Sequence, residues 1–195
     1  MSYLVMSLLL ACASEIDNKQ AAQVKEATTS APNVASKAGG WTLDPTSKVE
    51  WVGSKVTKDQ KGGFKKFTGS AQVEGNELKQ ITADIDISSL FSDHPKLTKH
   101  LLNVDFFEVE KYATATFKST EISKNHIKGI LDLHGIQKEI SFAATITQAE
   151  KSIGIKSEFT INRRLWNINY DGRANDLIKD NVLIKLDVRY QVAAK

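Results

Sequence analysis

From Trp41 to the end of the chain, apolar residues recur at every second position, not at the 3.6-residue spacing of a helix. That period selects extended strands with one buried face. Val49, Trp51 and Gly53 alternate with Glu50, Val52 and Ser54; Phe67, Gly69, Ala71 and Val73 with Thr68, Ser70, Gln72 and Glu74; Ile81, Ala83, Ile85 and Ile87 with Thr82, Asp84 and Asp86. Ala115, Phe117 and Ser119 continue the theme more weakly, and Ile127, Gly129, Leu131 and Leu133 oppose Lys128, Asp132 and His134. Ile140, Phe142, Ala144 and Ile146 form the sixth segment, Ile153, Ile155, Phe159 and Ile161 the seventh, and Val182, Ile184, Leu186, Val188 and Tyr190 the last. The pattern predicts eight antiparallel strands. Eight strands with one polar face each make a two-sheet sandwich or a closed barrel, and a closed eight-stranded barrel has room for one small ligand. Gly53, Gly69 and Gly129 fall on the inward face in this register, where a glycine marks a bend or leaves room inside.

Turn residues separate the segments. Lys61-Gly62-Gly63, Glu74-Gly75-Asn76, Lys124-Asn125 and His134-Gly135 supply backbone tolerant of positive φ. One stretch breaks the alternation. Between the third and fourth strands, Asp93, Pro95, Leu97, Leu101 and Leu102 have helical spacing, with Ser92 or Asp93 as N-cap and Pro95 in the first turn. This insertion, Asp93–Phe107, is the natural lid of whatever the strands enclose.

The 40 residues before Trp41 differ in kind. Met1 to Ala11 carry no charge and include Leu8-Leu9-Leu10, directly before Cys12. Leu9-Leu10-Ala11-Cys12 resembles the bacterial lipobox, in which a signal peptide (here 1–11) is removed and the cysteine is acylated. More than one acyl chain suffices for stable membrane anchoring. Ala13 is not the aspartate that favours inner-membrane retention, so the expected destination is the outer membrane, facing the periplasm. The alternatives are an ordinary secretory signal with an incidental cysteine, or a truncated start, the latter because the run lacks the basic start and longer apolar core of an ordinary signal. From Ala13 to Gly40 the chain is rich in Ala, Ser, Thr, Lys and Gln and has no aromatic residue. Such a composition predicts a flexible tether over 12–40, spanning about 30 Å. Cys12 is the chain's one cysteine, so no disulfide framework braces the domain at 41–195. A formal net charge of +3 gives no case for nucleic acid.

Several short motifs then resemble the YceI-like family of bacterial secreted proteins. Trp41-Thr42-Leu43-Asp44-Pro45 matches its opening pattern, and Gly62-Gly63-Phe64-Lys65-Lys66-Phe67-Thr68-Gly69 its second-strand pattern with one extra residue before Phe64. Asp105-Phe106-Phe107 and Tyr112-Ala113-Thr114-Ala115-Thr116-Phe117 follow, with Ala113 in place of the usual proline. Gly129, Leu131, Gly135 and Lys138 fit a further motif, and Arg163-Arg164-Leu165-Trp166-Asn167-Ile168 a last one, with Trp166 and Asn167 replacing Phe and Gly. The resemblance implies an all-β, eight-stranded antiparallel, lipocalin-like barrel with the helical insertion between strands 3 and 4. It implies an interior that binds a long isoprenoid or similar lipid, with no catalytic residue, cofactor or metal.

The residues themselves carry no Gly-x-Ser-x-Gly elbow, and Cys12 lies outside the domain. His94, His100, His126 and His134 lack metal-ligand spacing; the last two are expected on the surface. The candidate cavity residues are Trp51, Phe67, Phe91, Leu97, Leu101, Phe106, Phe117, Leu131, Phe142, Phe159 and Trp166, each equally at home in a packed core. Lys65 with Lys66, or Arg163, are the candidates for a ligand's polar head, while Arg164 is expected in a structural pairing. The expectation is a non-enzymatic envelope lipoprotein that sequesters or transports a long-chain isoprenoid-type lipid. The alternative is a structural or stress-related lipoprotein whose barrel is filled by its own side chains.

Overall fold

The computed structural model describes residues 14–27, 40–75, 77–173 and 176–192. The proposed signal at 1–11 and the acylation site Cys12 lie outside the described residues. Fourteen strands and one α-helix follow in order: β1 (Gln23–Glu26), β2 (Trp41–Leu43), β3 (Lys48–Lys55), β4 (Asp59–Phe64), β5 (Phe67–Glu74), β6 (Glu77–Asp86) and β7 (Leu90–Ser92). Helix α1 (Pro95–Leu102) comes next, then β8 (Thr114–Ser123), β9 (His126–Leu133), β10 (Ile136–Ala143), β11 (Thr145–Ala149), β12 (Ser152–Asn162), β13 (Gly172–Arg173) and β14 (Asp176–Val192).

The eight alternating segments lie in strands except that Ile87 ends the third in a 3-10 turn and Ala144 breaks the sixth between β10 and β11; the fold is all-β with antiparallel ladders. Among the described residues the strands number fourteen rather than eight, because short strands fill stretches that read as turns or linkers. β14 is the spine. Its backbone pairs with β12 along one edge, from Asn181 to Gln191. Along the other edge it pairs first with β3, from Ile178 to Asp187, and then with β2, from Tyr190 to Val192. Beyond β2 the ladder continues β5, β6, β8, β9, β10 and β1; beyond β3 it continues β4 and β7.

No rung joins β10 to β12, so the ladder of named strands stays open there. The N-terminal segment lies across that seam. β1 pairs with β10 over four residues, while Ala22 N donates to Thr160 O (2.9 Å) and Thr160 N donates to Gln20 O (3.0 Å) on β12.

Residues 14–27 therefore correct the expectation of a uniform tether. Ile16 is 4% exposed and packs on Val52 and Leu183, two apolar residues facing away from the interior. Ser14 Oγ donates to Asp59 (3.0 Å), which also accepts from Ser54 Oγ (2.5 Å). Glu15 bridges Lys185 and Lys61, Asp17 meets Lys179 (2.6 Å), and Lys19 meets Glu158.

Two turns follow the sequence reading. Gly75 (φ 61°) joins β5 to β6, and His134 (φ 52°) with Gly135 (φ 73°) forms a two-residue hairpin between β9 and β10. Gly62 and Gly63 instead lie within β4, which pairs with β3 and β7. A Cβ on Gly62 would fall on the Phe91 carbonyl oxygen and 2.5 Å from the Trp51 ring, so close approach dictates this glycine. Gly129 is likewise covered, by the Phe117 ring 2.6 Å from where a Cβ would stand, while Gly53 meets only the Trp51 ring at 3.8 Å. The helix is shorter than expected, and its N-cap is His94, whose Nδ1 accepts from Lys96 N (3.3 Å); Pro95 opens the first turn as predicted.

Candidate functional site

The inward side chains form two apolar clusters. The larger joins Ile127, Phe142, Ile155, Phe159, Val188 and Tyr190 from four strands; the smaller gathers Trp51, Leu90, Leu101, Phe106 and Ile168 beneath the helix. Each contains a cavity. The cavity under the helix is about 120 Å³ and is walled by Trp51, Leu97, Leu101, Phe106, Phe107 and Ile168, among others. Arg163, Lys55, Gln60 and Ser54 also stand in its wall, yet the surface turned to the space is apolar. The second cavity, about 150 Å³, lies deeper among Phe67, Phe117, Leu131, Phe142, Phe159 and their neighbours, and its lining is almost wholly apolar too. Phe142 and Phe159 stack at 4.2 Å with 14° between their planes, and Phe117 sits 6.0 Å from Phe142. Each cavity is smaller than the roughly 300–1,000 Å³ of a typical small-molecule pocket.

Nine of the eleven predicted cavity residues thus divide between the two spaces. The other two stand elsewhere. Trp166 is fully buried in the larger cluster but lines neither cavity. Phe91 faces a surface cleft of about 660 Å³, together with Lys65, Lys66 and Lys48. Sequence reasoning missed Phe64. It walls both cavities and the cleft, while Ile161 and Ile184 also border both cavities. The signal was present in the Phe64-x-x-Phe67 spacing at the end of a strand that two glycines disguised as a turn.

Arg163 is 4% exposed, and its guanidinium is already engaged. Nη1 donates to Ile168 O (2.5 Å), Nε to Lys179 O (3.3 Å), and Nη2 reaches Asp180 (3.5 Å). Burial pushes this guanidinium below its usual range, with Arg164 adding repulsion and Asp180 and Asp171 opposing the shift. Arg164 binds Asp180 and Asp171, a structural pairing at the surface. His134 departs from the expectation of a solvated side chain: Nδ1 donates to Trp166 O (3.0 Å), and Nε2 is buried without a partner among the described residues. His100 packs edge-on against Tyr170 (4.8 Å) and Phe106 (5.3 Å). Among the described residues no three His, Cys, Asp or Glu side chains gather to hold a metal ion.

The described strands form one antiparallel sheet curved over an apolar interior. The sequence matches the YceI-like domain over residues 41–190, and the chain belongs to that family. A UPF0312 protein of Vibrio cholerae is 38% identical over 87 residues, covering 41% of this chain and 46% of the relative, so the match spans about half of that protein's length. A UPF0312 protein of Pseudomonas putida is 27% identical over 137 residues, covering 64% and 71%. Among solved structures, BcnA of Burkholderia cenocepacia superposes with a TM-score of 0.67 at 21% identity, covering 75% of this chain and 98% of its own. A polyisoprenoid binding domain from Saccharophagus degradans, implicated in plant cell wall breakdown, gives 0.66 at 16% identity, covering 78% and 98%. At these identities the likeness is one of fold.

Proposed function

We propose that this protein binds a long-chain apolar molecule of isoprenoid type and sequesters or transports it without catalysis. The observation that carries the reading is the pair of adjoining apolar cavities that share Phe64, Ile161 and Ile184 in their walls. A structural neighbour known as a polyisoprenoid binding domain supports the ligand class. In this reading the sheet acts as a barrel whose seam between β10 and β12 is bridged by residues 20–26. Burying an alkyl or prenyl chain there removes apolar area worth about 25 cal/mol per Å² from water. Turning the Phe64 ring joins the two spaces into one channel for the chain. The test is titration of the full chain with farnesol, followed by tryptophan fluorescence, since Trp51 walls the first cavity. Saturable binding at one site supports the reading; fluorescence unchanged up to the solubility limit of the ligand counts against it.

The proposal includes membrane attachment through acylated Cys12 and an outer-membrane location facing the periplasm. Growth with radiolabelled palmitate should label the protein, and Cys12→Ser should remove the label. A second reading has its own observation in the modest size of both cavities. A structural lipoprotein with a self-filled interior would bind no farnesol, so the same titration separates the two.

A further inference from the structure

We propose that the surface cleft where the sheet forks is the entrance to the interior, and that it holds the anionic head of a single-tailed amphiphile while Phe64 swings aside for the tail. This rests on the reading of the interior as an apolar-chain site and adds to it a route and a head-group chemistry.

The fork follows from the pairing. β2 and β3 succeed one another along the same edge of β14. Their other neighbours then diverge: β2 pairs with β5 and β3 pairs with β4. β4 and β5 are consecutive in the chain, joined only by Lys65 and Lys66, yet no rung connects them. The wall therefore parts at this point. The gap is the cleft of about 660 Å³, a size within the range of small-molecule sites.

The cleft leads inward. Leu43, Val49, Phe64 and Phe67 line both it and the deeper cavity, and Phe64 alone borders all three spaces. Phe64 is only partly buried. The backbone on its C-terminal side is pinned: Lys65 N donates to Ser89 O (3.2 Å), Lys66 N to Ser89 Oγ (2.9 Å), and Asp86 N to Lys66 O (3.0 Å). Opening is then a side-chain rotation with the strands left in place.

The charges at the mouth select an anion. Lys48, Lys65 and Lys66 line the cleft against Asp44 and Glu50. The Asp44 carboxylate accepts within its own turn from Thr46 Oγ1 (2.5 Å) and Thr46 N (2.7 Å), which hold its pKa below the usual range and keep it ionised, so with Glu50 it leaves the three lysines a net excess of one positive charge. None of the three lysines enters an ion pair among the described residues, and Lys65 Nζ lies 5.6 Å from the centre of the Phe91 ring. A phosphate or diphosphate finds charge-assisted donors there, whereas the apolar interior offers a charged head no compensation. The head stays at the fork and the tail goes in.

The test compares farnesyl diphosphate, farnesol and inorganic diphosphate on the full chain, with wild type and a Lys65→Glu/Lys66→Glu variant. The expected result is wild-type affinity about tenfold or more higher for farnesyl diphosphate than for farnesol, the advantage one or two charge-assisted bonds supply. Inorganic diphosphate should bind far more weakly than either. The charge reversal should erase the diphosphate's advantage, costing farnesyl diphosphate at least tenfold more than it costs farnesol. Phe64→Ala should speed farnesyl diphosphate association. Farnesol binding with no preference for the diphosphate, or a preference that survives charge reversal, overturns the head-group site and leaves the interior reading standing. Inorganic diphosphate binding as tightly as farnesyl diphosphate makes the cleft a free-anion site and also overturns the proposal. If neither prenyl compound binds, the interior reading falls and this proposal with it.

Discussion

Replacing Ile16 with alanine should release the N-terminal segment from the sheet without unfolding the sheet itself. Ile16 is the one large apolar residue that residues 14–22 place against the outer face, covering Val52 (2% exposed) and Leu183 (0%). The ion pairs beside it are partly exposed and contribute little, on the order of 0–1 kcal/mol each. Truncating a buried isoleucine to alanine costs about 2–5 kcal/mol, and a site on the outer face, where water fills the space, belongs at the lower end. A loss of about 2 kcal/mol corresponds to about 30-fold less protection of amides whose opening requires the segment to detach. The assay is amide hydrogen exchange. Ala22 N and the β1 amides bonded to β10 should lose that protection, while the rungs between β3 and β14 keep theirs. The reasoning is refuted if the β1 amides of the unaltered protein already exchange like unstructured peptide. It is equally refuted if Ile16→Ala leaves their protection unchanged.

Acid should act on the same contacts. Lys185 and then Lys61 hold the Glu15 carboxyl below its ordinary 4.5, and hydrogen bonds from Ser54 and then Ser14 hold Asp59 below 3.8. Depressed carboxylate pKa values stabilise the docked state above those ordinary values, and the contribution fades as pH falls through the lower folded-state values. NMR shifts of residues 14–26 should therefore move toward unstructured positions in acid before those of β14 do. At the alkaline end, burial raises the Tyr190 phenol well above its ordinary 10.0. Its contribution is complete below 10.0 and drains away as pH climbs toward the folded-state value, so spectrophotometric titration should show one tyrosine that ionises only as the protein unfolds. Gly62→Ala should destabilise by about 1–3 kcal/mol through overpacking against Trp51 and the Phe91 carbonyl, read as a lowered urea midpoint. Gly53→Ala, whose Cβ would meet only the Trp51 ring at 3.8 Å, should move that midpoint far less.

The period of two carried the fold because every long strand buries one face and exposes the other, so parity along the chain was enough to place Phe67, Phe117, Phe142 and Phe159 inside. It failed where the buried face was not the inner one. Val52 and Leu183 sit at outward parity yet are apolar, and the structure explains them by Ile16, which covers both. That mismatch was the visible trace of a docking segment that composition alone marked as tether. Gly62 and Gly63 misled for a related reason: glycine permits positive φ, but here it makes room for Trp51 and Phe91 across a ladder no local signal reveals. The fork that exposes Lys65 and Lys66 depends on which strands share the edge of β14, a long-range property. Phe64 was legible only as part of a motif; its position between three spaces follows from that same fork.

The central claim is that the interior holds an apolar chain. Native mass spectrometry of the full protein, purified gently from the cells that produce it, tests this most directly when paired with organic-solvent extraction and lipid analysis of the same sample. The account predicts a population heavier than the polypeptide by the mass of one ligand, released on unfolding and recovered in the extract as a single-chain prenyl or long-alkyl lipid. Repeated preparations showing only the mass of the polypeptide with whatever groups are covalently attached, with no lipid in the extract and no uptake of added farnesol, would contradict it.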